Sequence, residues 1–190
     1  KDFVNLLGQE EGREPFFFKV NRTYSMLAIS GGAGNGAYGA GLLHGWSQEG
    51  SRPVFKIVTG ISTGAIMAPF AFLGSGYDEK LEEFYTQYST KDLLRRRGLF
   101  GVLLRNSIAS DGPLEKLINK NFDQQFLAKI AEEYRQGRRL YIGTTNLDAQ
   151  RLIIWDMGKI ASRGDDKALA LFRKIVLASA SVPGVFPPVF

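Results

Sequence analysis

The chain has 190 residues, of which 44% are apolar and 23% are charged, and this composition is typical of a single globular domain. It contains no cysteine and one histidine, His44, which excludes disulfides, thiolate metal sites and histidine-rich metal clusters. The formal net charge of +5 leaves nucleic acid and an anionic membrane surface open as partners.

Strands and helices are predicted to alternate along the chain. Residues 1–22 show little periodicity and are predicted to be an N-terminal lead-in, followed by one domain over residues 23–190. The predicted strands are residues 24–30, 54–59, 140–145 and 152–156. The predicted helices are residues 37–48, 63–73, 78–88, 113–119, 124–136 and 165–178. This alternation predicts an α/β fold, a three-layer sandwich with a mostly parallel central sheet and helices on both faces.

Two features within these elements have expected local effects. Pro69 lies inside the second predicted helix and is expected to kink it or to end its first half. The positive run Arg95-Arg96-Arg97 is interpreted as a solvated helix end or loop, with lipid headgroup contact as the alternative.

The compartment of the protein stays unknown from the sequence. The longest nearly apolar stretch, residues 65–73, is about half of the roughly 20 residues that a membrane-spanning helix needs. The N-terminal residues are not followed by the apolar region of a signal peptide, and a processed, exported protein would begin in the same way. We therefore expect a soluble domain without a transmembrane segment, either membrane-associated or exported after processing.

A glycine-flanked serine follows the second predicted strand and precedes the second predicted helix. Gly60-Ile61-Ser62-Thr63-Gly64 matches the pattern G-x-S-x-G in the strand–turn–helix context that gives this pattern meaning. The glycines allow a tight, strained turn that projects Oγ away from the sheet, and the helix N-terminus faces any oxyanion formed there. The pattern predicts Ser62 as a catalytic nucleophile in a nucleophile elbow, with an inert glycine-rich turn as the alternative.

A second glycine-rich segment, which we call the glycine loop, follows the first strand and opens the first helix. It consists of Gly31, Gly32, Ala33, Gly34, Asn35 and Gly36. A dinucleotide-binding loop would need an acidic residue at the end of the second strand, which instead runs into the serine turn, and a Walker loop would need a Gly-Lys-Ser/Thr ending. The loop and the serine together favour an oxyanion hole built from backbone N–H groups. Nucleotide binding and a purely structural turn remain the alternatives.

These segments resemble the patatin-like phospholipase family in their order. Residues 30–41 are similar to the family's G-G-G-x-R/K-G oxyanion segment, and the serine turn follows at about the expected distance. Residues 144–147 and 152–154 are similar to the strand pair after the nucleophile. Residues 178–188 resemble the stretch A-S-x-A-x-P-x-x-F-P-P. The resemblance covers about residues 26–190, and four matches in the right order are far more specific than one.

The resemblance implies a serine esterase that cleaves lipid esters. The expected activity is of the phospholipase A, lysophospholipase or esterase type, and it proceeds through an acyl-Ser62 intermediate without metal or cofactor. The expected partners are phospholipid or other lipid esters and, peripherally, a membrane surface, with no nucleic acid. The alternative is a catalytically inactive lipid-binding or scaffolding pseudoenzyme of the same fold.

The sequence departs from the family pattern at three places. Ala33 replaces the third glycine of the oxyanion segment, and Asn35 replaces the usual Arg or Lys, which removes a fixed positive charge. The family's catalytic aspartate lies in a D-G-G/A motif soon after the F-P-P stretch, so we expect the domain to be truncated before its acid, which would lie beyond Phe190. Asp111 is interpreted as a turn or helix-cap residue and His44 as a packing residue, rather than as substitute bases.

Overall fold

The computed structural model describes residues 24–32, 35–86, 112–181 and 189. Within them, four strands form one sheet in the order β1-β2-β3-β4. They are β1 (Met26–Ile29), β2 (Ile57–Ile61), β3 (Arg139–Asn146) and β4 (Arg151–Asp156). The first three strands run parallel, and β4 pairs with β3 in the antiparallel direction. The predicted α/β fold with a mostly parallel sheet is confirmed.

Seven α-helices occur in the described residues. They are α1 (Gly36–Glu49), α2 (Thr63–Leu73), α3 (Asp78–Thr86), α4 (Gly112–Asn121), α5 (Gln124–Arg135), α6 (Met157–Ala161) and α7 (Asp166–Ala180). A short 3-10 helix at Ser75–Tyr77 precedes α3. This 3-10 helix and α6 were not predicted, because segments of three and five residues are too short for a helical hydrophobic pattern to repeat.

Aspartate caps define the starts of three helices. The carboxylates of Asp123, Asp156 and Asp165 accept hydrogen bonds of 2.7, 2.9 and 2.7 Å from the backbone N–H three residues later, in α5, α6 and α7 respectively. Each bond satisfies an amide that has no partner inside its own helix. This local chemistry explains why the starts of α5 and α7 agree with the sequence prediction to within one residue.

The start of the second strand differs from expectation, and of the two effects expected of Pro69 the early end of the helix does not occur. β2 begins at Ile57 rather than residue 54, because Val54 is exposed and the first backbone hydrogen bond to the β1 segment comes from the N–H of Lys56. The helix α2 continues past Pro69 to Leu73 instead of ending in its first half. Every residue from Thr63 to Phe72 is buried, so packing on all sides stabilises the helix despite the hydrogen bond that proline removes.

The sheet face that carries Val58, Leu140 and Ile142 forms the main core. All three side chains are fully buried, and α2, α6 and α7 contact β3 on this side. Strand alternation directs a second set of side chains to the opposite face, where each is at least half exposed: Met26, Ile61, Leu152 and Ile154.

The sheet register brings two turns together at one edge. Ile29, the last residue of β1, pairs with Gly60 in β2. Because these strands are parallel, the segments that follow them leave the sheet at the same end. The glycine loop and the serine turn are therefore neighbours by topology.

Several predicted segments lie outside the described residues. They are the lead-in at 1–22, Ala33, Gly34, the Arg95-Arg96-Arg97 run, Asp111 and residues 182–188. Across the described ranges, no helix has the length and apolar character needed to cross a membrane.

Candidate active site

Ser62 occupies the turn between β2 and α2. Its backbone has φ 58° and ψ −127°, in the positive-φ region that residues other than glycine rarely adopt. Such a conformation costs about 1–3 kcal/mol and persists only where the surroundings hold it in place. The structure thus places Ser62 on a strained strand-to-helix turn.

Gly60 and Gly64 allow this turn to pack tightly. A Cβ atom on Gly60 would lie 2.7 Å from the carbonyl carbon of Gly64 and 2.8 Å from the Cβ of Ala68. A Cβ atom on Gly64 would lie 2.8 Å from the carbonyl oxygen of Ser30, the residue that follows β1. Any side chain at these two positions would push α2 away from the sheet.

The first residues of the glycine loop lie against the serine. A Cβ atom on Gly31 would lie 2.9 Å from the Cβ and 3.4 Å from the Oγ of Ser62. Further along the loop, the N–H of Asn35 donates to the carbonyl of Gly32 over 2.9 Å and closes a turn. The backbone of the loop at Gly31 therefore lies so close to Ser62 that a side chain there would collide with it.

A family model described as patatin-like phospholipase matches residues 27–190. The match includes the whole glycine loop, the serine turn and nearly all of the sheet. The chain belongs to the patatin-like phospholipase family. The family places this chain among the lipid acyl hydrolases, whose substrates are lipids. No individual curated protein matches the chain.

Tyr85 anchors the patatin-like serine turn from α3. Its hydroxyl lies 2.8 Å from Oγ1 of Thr63 and donates to the Thr63 carbonyl over 3.2 Å. The same ring covers Gly36, where a Cβ atom would lie 2.7 Å from the tyrosine oxygen. Burial raises the pKa of Tyr85 to about 12, against a smaller opposing effect of the hydrogen bond with Thr63. This role of Tyr85 is not predictable from the sequence, since nothing in a helical tyrosine indicates its tertiary contact.

Ser179 contacts the serine turn from α7. The N–H of Ser62 donates to Oγ of Ser179 over 2.9 Å, and the Ser179 hydroxyl donates to the carbonyl of Gly143 over 2.6 Å. Ser179 belongs to the segment that resembles A-S-x-A-x-P, but the sequence pattern predicts no individual role for it. The family motif was the only available signal.

The hydroxyl of Ser62 makes no hydrogen bond within the described residues. His44 is engaged elsewhere: Nδ1 lies 3.0 Å from Oε2 of Glu82, and Nε2 lies 3.0 Å from Nε2 of Gln48. The contact with Glu82 joins α1 to α3, in keeping with the packing role predicted for His44. Among the described residues, no group of three or more histidine, aspartate and glutamate side chains is able to hold a metal ion.

Proposed function

We propose that the protein hydrolyses the carboxylic esters of phospholipids or related lipids through an acyl-enzyme on Ser62. One observation carries the proposal: Ser62 sits at a strained strand-to-helix turn with the backbone of Gly31 against its hydroxyl. A strained strand-to-helix turn projects the hydroxyl of a nucleophilic serine away from the sheet, and an oxyanion hole needs backbone amides beside that hydroxyl.

The reaction has two half-steps at Ser62. In the first, Oγ transfers its proton to a base and attacks the ester carbonyl, and the alcohol departs with that proton as the acyl-serine forms. In the second, the base takes a proton from water, the resulting hydroxide attacks the acyl carbon, and the free acid leaves as Ser62 regains its proton. On the family resemblance, we propose that this base is the aspartate of a D-G-G/A motif.

The glycine loop is the proposed oxyanion hole. Its candidate donors are the backbone N–H groups of Gly31, Gly32, Ala33, Gly34, Asn35 and Gly36. The Asn35 N–H is engaged with Gly32 and the Ser62 N–H with Ser179, which favours the remaining loop amides as donors. The N-terminus of α2 adds positive potential beside Ser62. With asparagine at position 35, stabilisation of the oxyanion would rest on the backbone rather than on a fixed side-chain charge.

Fatty-acid release from a phospholipid labelled in its acyl chains tests the function. The complete protein is incubated with mixed micelles, and Ser62→Ala and Ser162→Ala are assayed beside it. Ser162 is a matched control because its hydroxyl bonds only the carbonyl of Gly158 within its own segment. We expect release to disappear in Ser62→Ala and to persist in Ser162→Ala. Release that survives Ser62→Ala would refute the proposal, and lipid binding without release would favour the pseudoenzyme.

We also propose peripheral contact with an anionic membrane surface. The net charge of +5 supports it, and the Arg95-Arg96-Arg97 run is the densest positive segment. Nucleic acid is not an expected partner.

A further inference from the structure

The hydroxyl of Ser179 connects two backbone groups from different parts of the chain. It accepts from the N–H of Ser62 over 2.9 Å and donates to the carbonyl of Gly143 over 2.6 Å. These residues lie 117 and 36 positions away from it in sequence. Ser179 therefore joins the end of α7 to the serine turn and to β3.

The direction of both bonds is fixed by chemistry. A carbonyl oxygen only accepts and an amide N–H only donates, so the single hydroxyl proton goes to Gly143 and a lone pair faces Ser62. An alanine would remove both hydrogen bonds at a partly buried site. Among side chains of similar size, only one with a hydroxyl group can make both of these hydrogen bonds.

Ser179 acts where the direct pairing of β2 and β3 ends. Ile61 and Gly143 are the last paired residues of the two strands, and Ser62 is the next residue. The hydroxyl bridges the strands one residue further, at the point where the backbone turns into its positive-φ conformation. A strained turn keeps its geometry only when such contacts hold it.

We propose that Ser179 is a positioning residue that sets the orientation of the Ser62 nucleophile through its backbone amide. This inference rests on the proposed function of Ser62. Oγ of Ser179 does not touch substrate in this account. It acts on the rate of acyl transfer by fixing the turn from which Ser62 Oγ attacks.

The first test measures ester hydrolysis by the complete protein with Ser179→Ala, Ser179→Thr and Ser181→Ala. Ser181 is the matched control, because its hydroxyl donates only to the Leu177 carbonyl in the same helix end. We expect Ser179→Ala to lower kcat by about 100-fold with little change in KM, because misplacement of a reacting group acts on the chemical step. Recovery of kcat in Ser179→Thr, which keeps the hydroxyl, would support the proposal, as would a wild-type kcat in Ser181→Ala.

A second test does not depend on activity. Hydrogen exchange of the Ser62 amide, followed by NMR, should accelerate by about fivefold in Ser179→Ala, because one hydrogen bond of ordinary strength is lost. The amide in Ser181→Ala should exchange as in the wild type. Unchanged exchange in Ser179→Ala, or unchanged kcat in a Ser62-dependent enzyme, would overturn the positioning role. Failure of the wild type to hydrolyse esters would instead refute the proposed function. The exchange experiment would still test whether Ser179 holds the amide of Ser62.

Discussion

At the residue scale, contacts from three elements hold Ser62 in its strained conformation. Gly31 brings the end of the β1 segment against its side chain. Ser179, in α7, accepts a hydrogen bond from the N–H of Ser62, and Tyr85, in α3, hydrogen-bonds the neighbouring Thr63. Because these contacts come from separate parts of the chain, the geometry of the turn depends on the whole described core rather than on the five-residue motif alone.

Substitution of Gly31 by alanine tests the close approach of the glycine loop. The new Cβ would lie 2.9 Å from the Cβ of Ser62, so the loop or the serine must move. We expect acylation by an activated ester to slow by about 100-fold. Gly45→Ala is the control, since it lies in α1 with open space around it and should stabilise the fold by up to about 1 kcal/mol. Acylation at the wild-type rate in Gly31→Ala would contradict the contact.

Tyr85 gives the fold a pH dependence in the alkaline range. Its pKa is about 12 in the folded protein and near 10.0 in the unfolded chain, which therefore loses the proton first as pH rises. The stabilisation of the folded state by the neutral hydroxyl is complete below the pKa of the unfolded chain. It is lost as the pH rises from that pKa to the pKa of the folded protein. We expect the free energy of unfolding to fall more steeply in the wild type than in Tyr85→Phe between about pH 9 and about pH 11. Denaturant unfolding at both pH values measures this, and equal slopes would refute it.

At the element scale, α2 is the central buried helix, and two arginines satisfy carbonyls near its end. Nη2 of Arg138 donates to the carbonyl of Phe72 over 2.5 Å, and Nη2 of Arg52 donates to the carbonyl of Ala71 over 3.3 Å. Arg52 also pairs with Asp78 at 2.6 Å, with both side chains almost fully buried. The two arginines supply hydrogen-bond partners that carbonyls in the last turn of a helix lack. Through its pair with Asp78, Arg52 also connects the end of α2 to the start of α3.

Replacement of Arg138 by methionine tests this arrangement. The change removes the bonds to the carbonyls of Phe55 and Phe72 and leaves Glu133 without its partner at 2.8 Å. We expect the free energy of unfolding to fall by about 3 kcal/mol, measured with chemical denaturant. Arg163→Met, which breaks an exposed pair with Asp165, should change it little. A similar small loss in both variants would contradict a structural role for Arg138.

The elements differ in how far the sequence could predict them. The α2 bounds agree with prediction because the serine turn marks its start and Gly74 follows its end. Pro69 does not end α2, because tertiary packing around the helix decides whether it continues past a proline. The roles of Tyr85 and Ser179 were not predictable from local pattern, since they depend on partners 22 and 117 residues away.

At the scale of the whole molecule, excess positive charge predicts salt-dependent attraction to membranes. We expect the protein to sediment with vesicles that contain phosphatidylserine and not with vesicles of phosphatidylcholine alone. Added salt should release it, because screening shortens the range of the attraction. The contribution of the arginine run is tested with a variant in which Arg95, Arg96 and Arg97 are all replaced by glutamine. The control variant carries the same replacement at Lys116, Lys129 and Lys167, which removes the same number of positive charges elsewhere. Equal binding to both vesicle types would contradict an electrostatic contact.

The proposed acyl transfer requires Ser62 to be an activated nucleophile. The most direct measurement is the intact mass of the complete protein before and after treatment with a fluorophosphonate probe, with Ser62→Ala beside it. We predict one covalent adduct on the wild type, located at Ser62 by peptide mapping, and none on Ser62→Ala. An unmodified wild type, or an adduct that persists in Ser62→Ala, would contradict the account.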